Sequence, residues 1–180
     1  MLGEVNSFQS MLGNVRPEVQ IMDPGQGGKV VETRTKDTPD NIFIQGRFAS
    51  GALFSYHIRG GEPFAGTPGV DFRIYGEKGE IRITNPVSVM DISHDGVQIK
   101  LQIFGKGGTE NIELPKDALS DLPHPAQNVG REYEAYAAGN AGGDDGYPDW
   151  EVAMIRHRLM DDMFEKSKDF SVFGEPVPKV

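Results

Sequence analysis

The chain contains no cysteine, which excludes disulfides, thiol catalysis and zinc held by thiolates, and fits a reducing compartment. It also lacks any apolar run near the roughly 18 residues that a membrane span needs. Its opening, Met1-Leu2-Gly3-Glu4-Val5, has neither a basic leader nor an apolar core and does not read as a signal peptide. A cytoplasmic location away from membranes is therefore expected. Positive charge is in short supply too. With 18 basic and 27 acidic residues the formal net charge is −9. Nucleic-acid binding draws on clustered Lys and Arg, so no nucleic-acid partner is expected.

Several catalytic and cofactor motifs are missing. Gly25-Gln26-Gly27-Gly28 begins like a dinucleotide fingerprint, but Val30 stands where the third glycine belongs. The run also leads into a strand, so it offers no helix N-terminus to a pyrophosphate. Gly105-Lys106-Gly107-Gly108 reads as a turn, and there is no Walker sequence. No cofactor is expected, and nicotinamide redox chemistry is not expected of this chain by itself. The four histidines (His57, His94, His124 and His157) include no i,i+4 pair, and Asp144-Asp145-Gly146 lacks the ligand ladder of a calcium loop. No metal site is expected. A Gly-x-Ser-x-Gly nucleophile elbow is absent as well.

What is present reads as one α+β domain, since 180 residues fit a single domain with its own core. Val5–Leu12 is a first strand candidate, and Lys29–Thr33 follows the glycine-rich stretch as a second. Asn41–Ala49 and Ala52–Gly60 form a β-hairpin around Ser50-Gly51. A two-residue turn there sets Phe48 opposite Leu53, Gly46 opposite Ser55 and Ile44 opposite His57. The other face then carries Phe43, Gln45, Arg47, Phe54, Tyr56 and Ile58. Large apolar groups on both faces imply a sheet covered on both sides: helices on one, a partner or ligand on the other.

A meander follows, in which Val70, Phe72 and Ile74 alternate with Asp71, Arg73 and Tyr75, and Gly76–Gly79 turns into Glu80–Thr84. Weaker strands are expected around Val87–Ile92, Val97–Phe104 and Asn111–Leu114. Successive strands without intervening helices favour an open, mainly antiparallel sheet. Two helices close the chain. Pro125–Ala138 ends at Gly139, with Val129, Tyr133 and Tyr136-Ala137 on one side. After an acidic link over residues 140–146, a long helix runs from Asp149 as N-cap to about Lys166. Its stripe of Val152, Ile155, Leu159 and Met163, joined by Trp150, Met154, Met160 and Phe164, should pack on the sheet. The domain is drawn over residues 1–168, with 169–180 as an extended tail.

The best candidate for acid–base chemistry is Ser55-Tyr56-His57-Ile58-Arg59. Histidine titrates near neutrality and can carry a proton. Arg59, Asp71, Arg73 and Tyr75 could orient an oxyanion or enolate beside it. Phe43, Phe54, Tyr56 and Trp150 could shape an apolar pocket for a small-molecule metabolite. His157 lies on the helix stripe with Ala153, Met160 and Phe164, where packing is its simplest role.

The order of these pieces resembles the C-terminal domain of the glucose–fructose oxidoreductase/inositol dehydrogenase (Gfo/Idh/MocA) family, nearest its fungal branch with the galactose-pathway repressor. The residues carrying the resemblance start at Leu2-Gly3-Glu4-Val5, Pro39-Asp40-Asn41 and Phe48-Ala49-Ser50-Gly51-Ala52. Ser55–Gly61 and Ile74–Ile81 continue it, and Gly130–Tyr136, Pro148–Glu151 and Arg156–Leu159 complete it. It implies an open antiparallel sheet with helices on one face and a partner subunit on the other, hence a homodimer through the sheet. The family's dinucleotide domain, Glu-Lys-Pro segment and catalytic histidine would all precede Met1, so none is carried over.

Three functions are compatible with this reading. One is a substrate-binding domain cut from a larger NAD(P)-dependent oxidoreductase. Another is a stand-alone, cofactor-independent enzyme of fungal biosynthesis (an isomerase, cyclase or dehydratase) with His57 as proton carrier. The third is a non-catalytic binding or regulatory module. Fold alone does not choose among them.

Overall fold

A computed structural model describes residues 2–88, 94–139 and 146–168. Its strands are β1 (Val5–Gly13), β2 (Glu18–Asp23), β3 (Lys29–Thr35), β4 (Asn41–Phe48), β5 (Leu53–Arg59), β6 (Val70–Tyr75), β7 (Gly79–Asn85), β8 (Gln98–Ile103) and β9 (Glu110–Ile112). The helices are α1 (His124–Ala137) and α2 (Trp150–Lys168). All strand pairs are antiparallel, so the expected α+β class holds. The strands form three sheets, in the orders β1-β4-β5, β2-β3 and β6-β7-β8-β9. Residues 89–93, at the end of the expected Val87–Ile92 strand, lie outside the described residues, as do 140–145 of the acidic link and the tail 169–180.

The chain divides into two compact units, Met1–Gly60 with Trp150–Val180, and Gly61–Asp149. In the first, α2 lies against β1. The helix-side row of the sheet comprises Phe8, Ser10 and Leu12 on β1 with Ile42, Ile44 and Gly46 on β4, paired in register. Phe8, Ser10 and Ile44 are buried there. Gly46 is required opposite Phe8: a Cβ on it would fall 2.8 Å from both the Cα and Cβ of Phe8 and against the Ser7 carbonyl. Polar ties fix the helix to the strand. Ser10 Oγ donates to the Met163 carbonyl at 2.6 Å, and the Leu12 amide donates to Ser167 Oγ at 3.0 Å. The Lys166 ammonium sits 4.0 Å above the Phe8 ring centroid, a favourable cation–π placement. At the far end, Arg156 makes a bidentate pair with Glu4, at 2.6 and 2.8 Å.

The apolar arc of α2 is wider than the surface it meets. Val152, Leu159 and Met163 are half-buried, while Trp150 is 83% exposed and Met154, Ile155, Met160 and Phe164 are exposed too. The expected packing stripe is thus only partly used, and His157 is exposed as well.

The β4–β5 register differs from expectation by one residue. The pairs are Arg47↔Leu53, Gly46↔Phe54, Gln45↔Ser55, Ile44↔Tyr56 and Phe43↔His57. The cause is the turn. The Phe48 amide bonds to the Ala52 carbonyl and the Gly51 amide to the Phe48 carbonyl, both at 2.9 Å. Gly51 is left-handed at φ 89°, the three-residue loop with a glycine bulge and not a two-residue turn. A one-residue slip exchanges every side chain between faces. Ile42, Ile44, Phe48, Phe54, Tyr56 and Ile58 therefore share the helix side, and Asn41, Phe43, Gln45, Arg47, Leu53, Ser55, His57 and Arg59 share the open side. The hairpin is more cleanly divided than the sequence suggested.

The glycine-rich stretch closes a second hairpin. Strand β2, absent from the sequence reading, pairs with β3 around a 3-10 turn at Pro24–Gln26. Asp23 holds that turn by accepting from the Gly25 amide and the Gln26 side chain, each at 2.8 Å. Where this hairpin springs from the body, Asp40 accepts from the Val15 and Arg16 amides at 2.9 and 2.8 Å and from Lys36 Nζ at 3.0 Å.

In the second unit the meander forms as expected. Val70, Phe72 and Ile74 share one face with Ile81, Ile83, Ile99 and Leu101, and the charged residues take the other. Asn85 is buried at 2% exposure and accepts from the Val87 amide at 3.1 Å. Helix α1 sets Gly130 against Leu119 and Leu122, and Arg131 clamps Asp117 through two bonds of 2.7 and 3.1 Å. Val129, Tyr133 and Tyr136, expected to pack, are exposed.

Candidate functional site: the open face of the first sheet

The open side of β1-β4-β5 combines two cross-strand rows. Gln9, Gln45 and Ser55 align across the three strands, and beside them Met11, Phe43 and His57 do the same. The first row, with Met11 and Phe43 of the second, borders a shallow concavity of about 170 Å³, whose lining also includes Ser10, Ile44 and Tyr56 from between the rows; His57 stands outside that lining, behind Phe43. The first row supplies amide and hydroxyl groups, and the second an apolar and aromatic wall. Met11 and Phe43 are 48% and 42% exposed, and Leu53, on the same face, 74%. Apolar groups left open at this level on one side of a sheet are the usual mark of an interaction surface.

His57 stacks on Phe43, with centroids 3.9 Å apart and planes within 11°. This contact follows from the corrected register, which places the two opposite each other. Arg59 lies two residues on and shares the face. The remaining candidates separate. Phe54 is on the helix side, half-buried and 4.6 Å from the Phe48 ring. Tyr56 points to that side too, and its burial raises the phenol above its ordinary pKa. Trp150 opens α2, away from this concavity's lining.

Asp71, Arg73 and Tyr75 belong to β6, in the other unit. Asp71 accepts a bidentate bond from Arg82 at 2.9 and 2.7 Å, which holds its carboxyl below the ordinary range. A carboxylate so held is a weak proton acceptor and suits orientation better than base catalysis. Arg73 donates to Glu80 at 2.5 Å. Tyr75 lies 5.4 Å from Phe104 at a tilt of 49°.

A dinucleotide does not fit the glycine run, because Gly25–Gly28 joins two antiparallel strands and presents no helix N-terminus to a pyrophosphate. Among the described residues no cluster of three or more His, Asp or Glu could hold a metal, and no helix is long and apolar enough to cross a membrane. The site features missed in the sequence are Gln9, Met11 and Gln45. Only correct pairing reveals them, because none belongs to a local motif.

Residues 1–85 match the family model of the Gal80p C-terminal domain. That segment contains the whole open face just described and the first two strands of the meander. Among solved structures, the transcriptional regulator Gal80p from Kluyveromyces lactis is similar at 24% identity and a TM-score of 0.68, over 90% of this chain and 38% of that one. A super-repressor mutant of Gal80p from Saccharomyces cerevisiae gives 20% identity and a TM-score of 0.74, over 92% and 43%. Aldose-aldose oxidoreductase from Caulobacter crescentus, solved with glycerol, gives 17% and 0.54, over 93% and 40%. The expected likeness to Gal80p and its oxidoreductase relatives therefore holds at the level of fold. The chain spans about two fifths of the length of these structures. No curated protein is similar in sequence.

Proposed function

We propose that this chain is a Gal80p-type binding and assembly domain: the open face of β1-β4-β5 seats a second copy, and a small organic metabolite occupies the concavity beside Phe43. The observation carrying this is the division of the sheet. On one side α2 covers the β1 part of the sheet, while the other side exposes Met11, Phe43 and Leu53 around the polar row Gln9–Gln45–Ser55. Such a surface has the mixed character of a non-obligate interface, apolar at its centre with hydrogen-bonding groups beside it. The family resemblance, in which this face meets a partner subunit, points the same way. The glycerol in the oxidoreductase structure is in keeping with a small, polar ligand. The test is a Phe43→Glu/Leu53→Glu variant in sedimentation velocity. The wild type should sediment as a dimer and the variant as a folded monomer with an unchanged far-ultraviolet spectrum. A variant that remains dimeric would remove this face from the assembly.

A second reading makes the domain a cofactor-independent enzyme, with His57 carrying a proton from its place against Phe43, a residue of the concavity's lining. It is favoured by the stack on Phe43, which fixes the imidazole beside the cavity wall. Arg59, on the same face, would orient an oxyanion. General acid–base roles are typically worth about 10²-fold or more, so a rate falling less than about twofold in His57→Ala excludes it.

A further inference from the structure

The charged face of the β6-β7-β8-β9 sheet carries an arrangement that neither reading uses. Arg73, Arg82 and Lys100 stand in direct register on three adjacent strands, three cations abreast in a chain of net charge −9. Like charges directly opposite one another weaken a sheet, so each cation needs a counter-charge. Two have one: Arg73 pairs with Glu80, and Arg82 with Asp71. Those four charges cancel. Lys100 is only half exposed, and its ammonium has no ion pair or hydrogen bond among the described residues. A partly desolvated ammonium without a partner is unfavourable, and an arriving anion relieves it.

The surroundings have the shape and chemistry for one. Lys100 and Arg82 line a cleft of about 410 Å³ together with Thr67, Thr84, Gln98 and Pro86, a volume within the usual range for small-ligand sites. Arg82 gives Nε and Nη2 to Asp71, so its Nη1 hydrogens remain for a ligand. A carboxylate can therefore receive Nη1 of Arg82 and the Lys100 ammonium together, and its single charge matches the one left over. Thr84 and Gln98 line the same space and suit hydroxyl groups on the rest of the molecule, as does Thr67, whose Oγ1 donates to the Phe64 carbonyl at 2.7 Å and is left to accept.

We propose that this cleft binds a small polyhydroxylated monocarboxylate, held by Lys100 and Arg82 at its carboxylate and by Thr67, Thr84 and Gln98 at its hydroxyls. The test is an amide NMR titration of the full chain with gluconate, with sorbitol and acetate as partial mimics. Saturable shifts centred on Arg82, Thr84, Gln98 and Lys100 are expected with gluconate. Sorbitol and acetate should each bind at least about tenfold more weakly, the equivalent of one charge-assisted contact. Lys100→Gln should weaken gluconate by a similar factor while its spectrum elsewhere stays unchanged. If that variant does not fold, raising the salt concentration on the wild type must weaken gluconate in its place, since screening acts on the ion pair. The proposal is overturned by the absence of saturable shifts, by acetate binding as well as gluconate (a general anion site only), or by indifference to both the substitution and salt. Assembly through the first sheet is read by sedimentation, so the two ideas fail separately.

Discussion

Replacing Gly46 with alanine probes the packing on which the open face depends. The new Cβ would press on the Ser7 carbonyl and lie 2.8 Å from two atoms of Phe8. Two of those three contacts are backbone atoms, so no rotamer change relieves them and β1 must move away from β4. Overpacking of this kind costs about 1–3 kcal/mol, and the backbone contacts put Gly46→Ala near the top of that range. For a chain of this size each kcal/mol lowers Tm by roughly 2–4 °C, so a fall of about 6–12 °C is expected. Thermal unfolding followed by circular dichroism measures it. Gly107→Ala is the control, because a Cβ there meets nothing within 4 Å and should change stability by no more than about 0.5 kcal/mol. If Gly46→Ala melts with the control, β1 does not pair with β4 in this register, and the row Gln9–Gln45–Ser55 loses its basis.

Other expectations concern the ties around that sheet and the acid limb of stability. Ser10→Ala removes the bond to the Met163 carbonyl and should cost about 1 kcal/mol, a Tm loss of roughly 2–4 °C. The Glu4–Arg156 pair is about half exposed on both sides, so a double-mutant cycle should return no more than about 1 kcal/mol. Asp40 is held well below the ordinary carboxylate range, chiefly by the Val15 amide, and Asp117 likewise, chiefly by Arg131. Their folded-state pKa values lie below the unfolded value of about 3.9. The stability they contribute is thus complete above that pH and is lost as pH falls towards the folded values. Denaturant unfolding at pH 7 and pH 3 should show this loss, and Asp40→Asn should reduce the difference between the two; an unchanged difference would contradict it.

Much of the fold was legible because the period of two is strong where one face is buried. The alternation of Val70, Phe72 and Ile74 with Asp71, Arg73 and Tyr75 gave β6 its faces directly. Strand β2 was missed because its hairpin buries neither side: Ile21, Met22, Val30 and Val31 are all exposed, so no core-facing pattern marks it. The β4–β5 hairpin was readable in position but not in register. Ser50-Gly51 suits both loop lengths, and the left-handed Gly51 decides it. That one residue placed His57 on the face of Phe43 and separated Phe54 and Tyr56 from it. Of the candidate residues only Phe43, His57 and Arg59 share the open face, and Gln9, Met11 and Gln45 emerge only from the strand pairing.

The central claim is that the open face of β1-β4-β5 seats a second copy, and native mass spectrometry of the freshly purified chain tests it most directly. A species at twice 19.7 kDa, persisting as the protein is diluted through the micromolar range, is the expected result. A monomer at every concentration, with no bound molecule, would contradict it and leave Met11, Phe43 and Leu53 without the partner assigned to them.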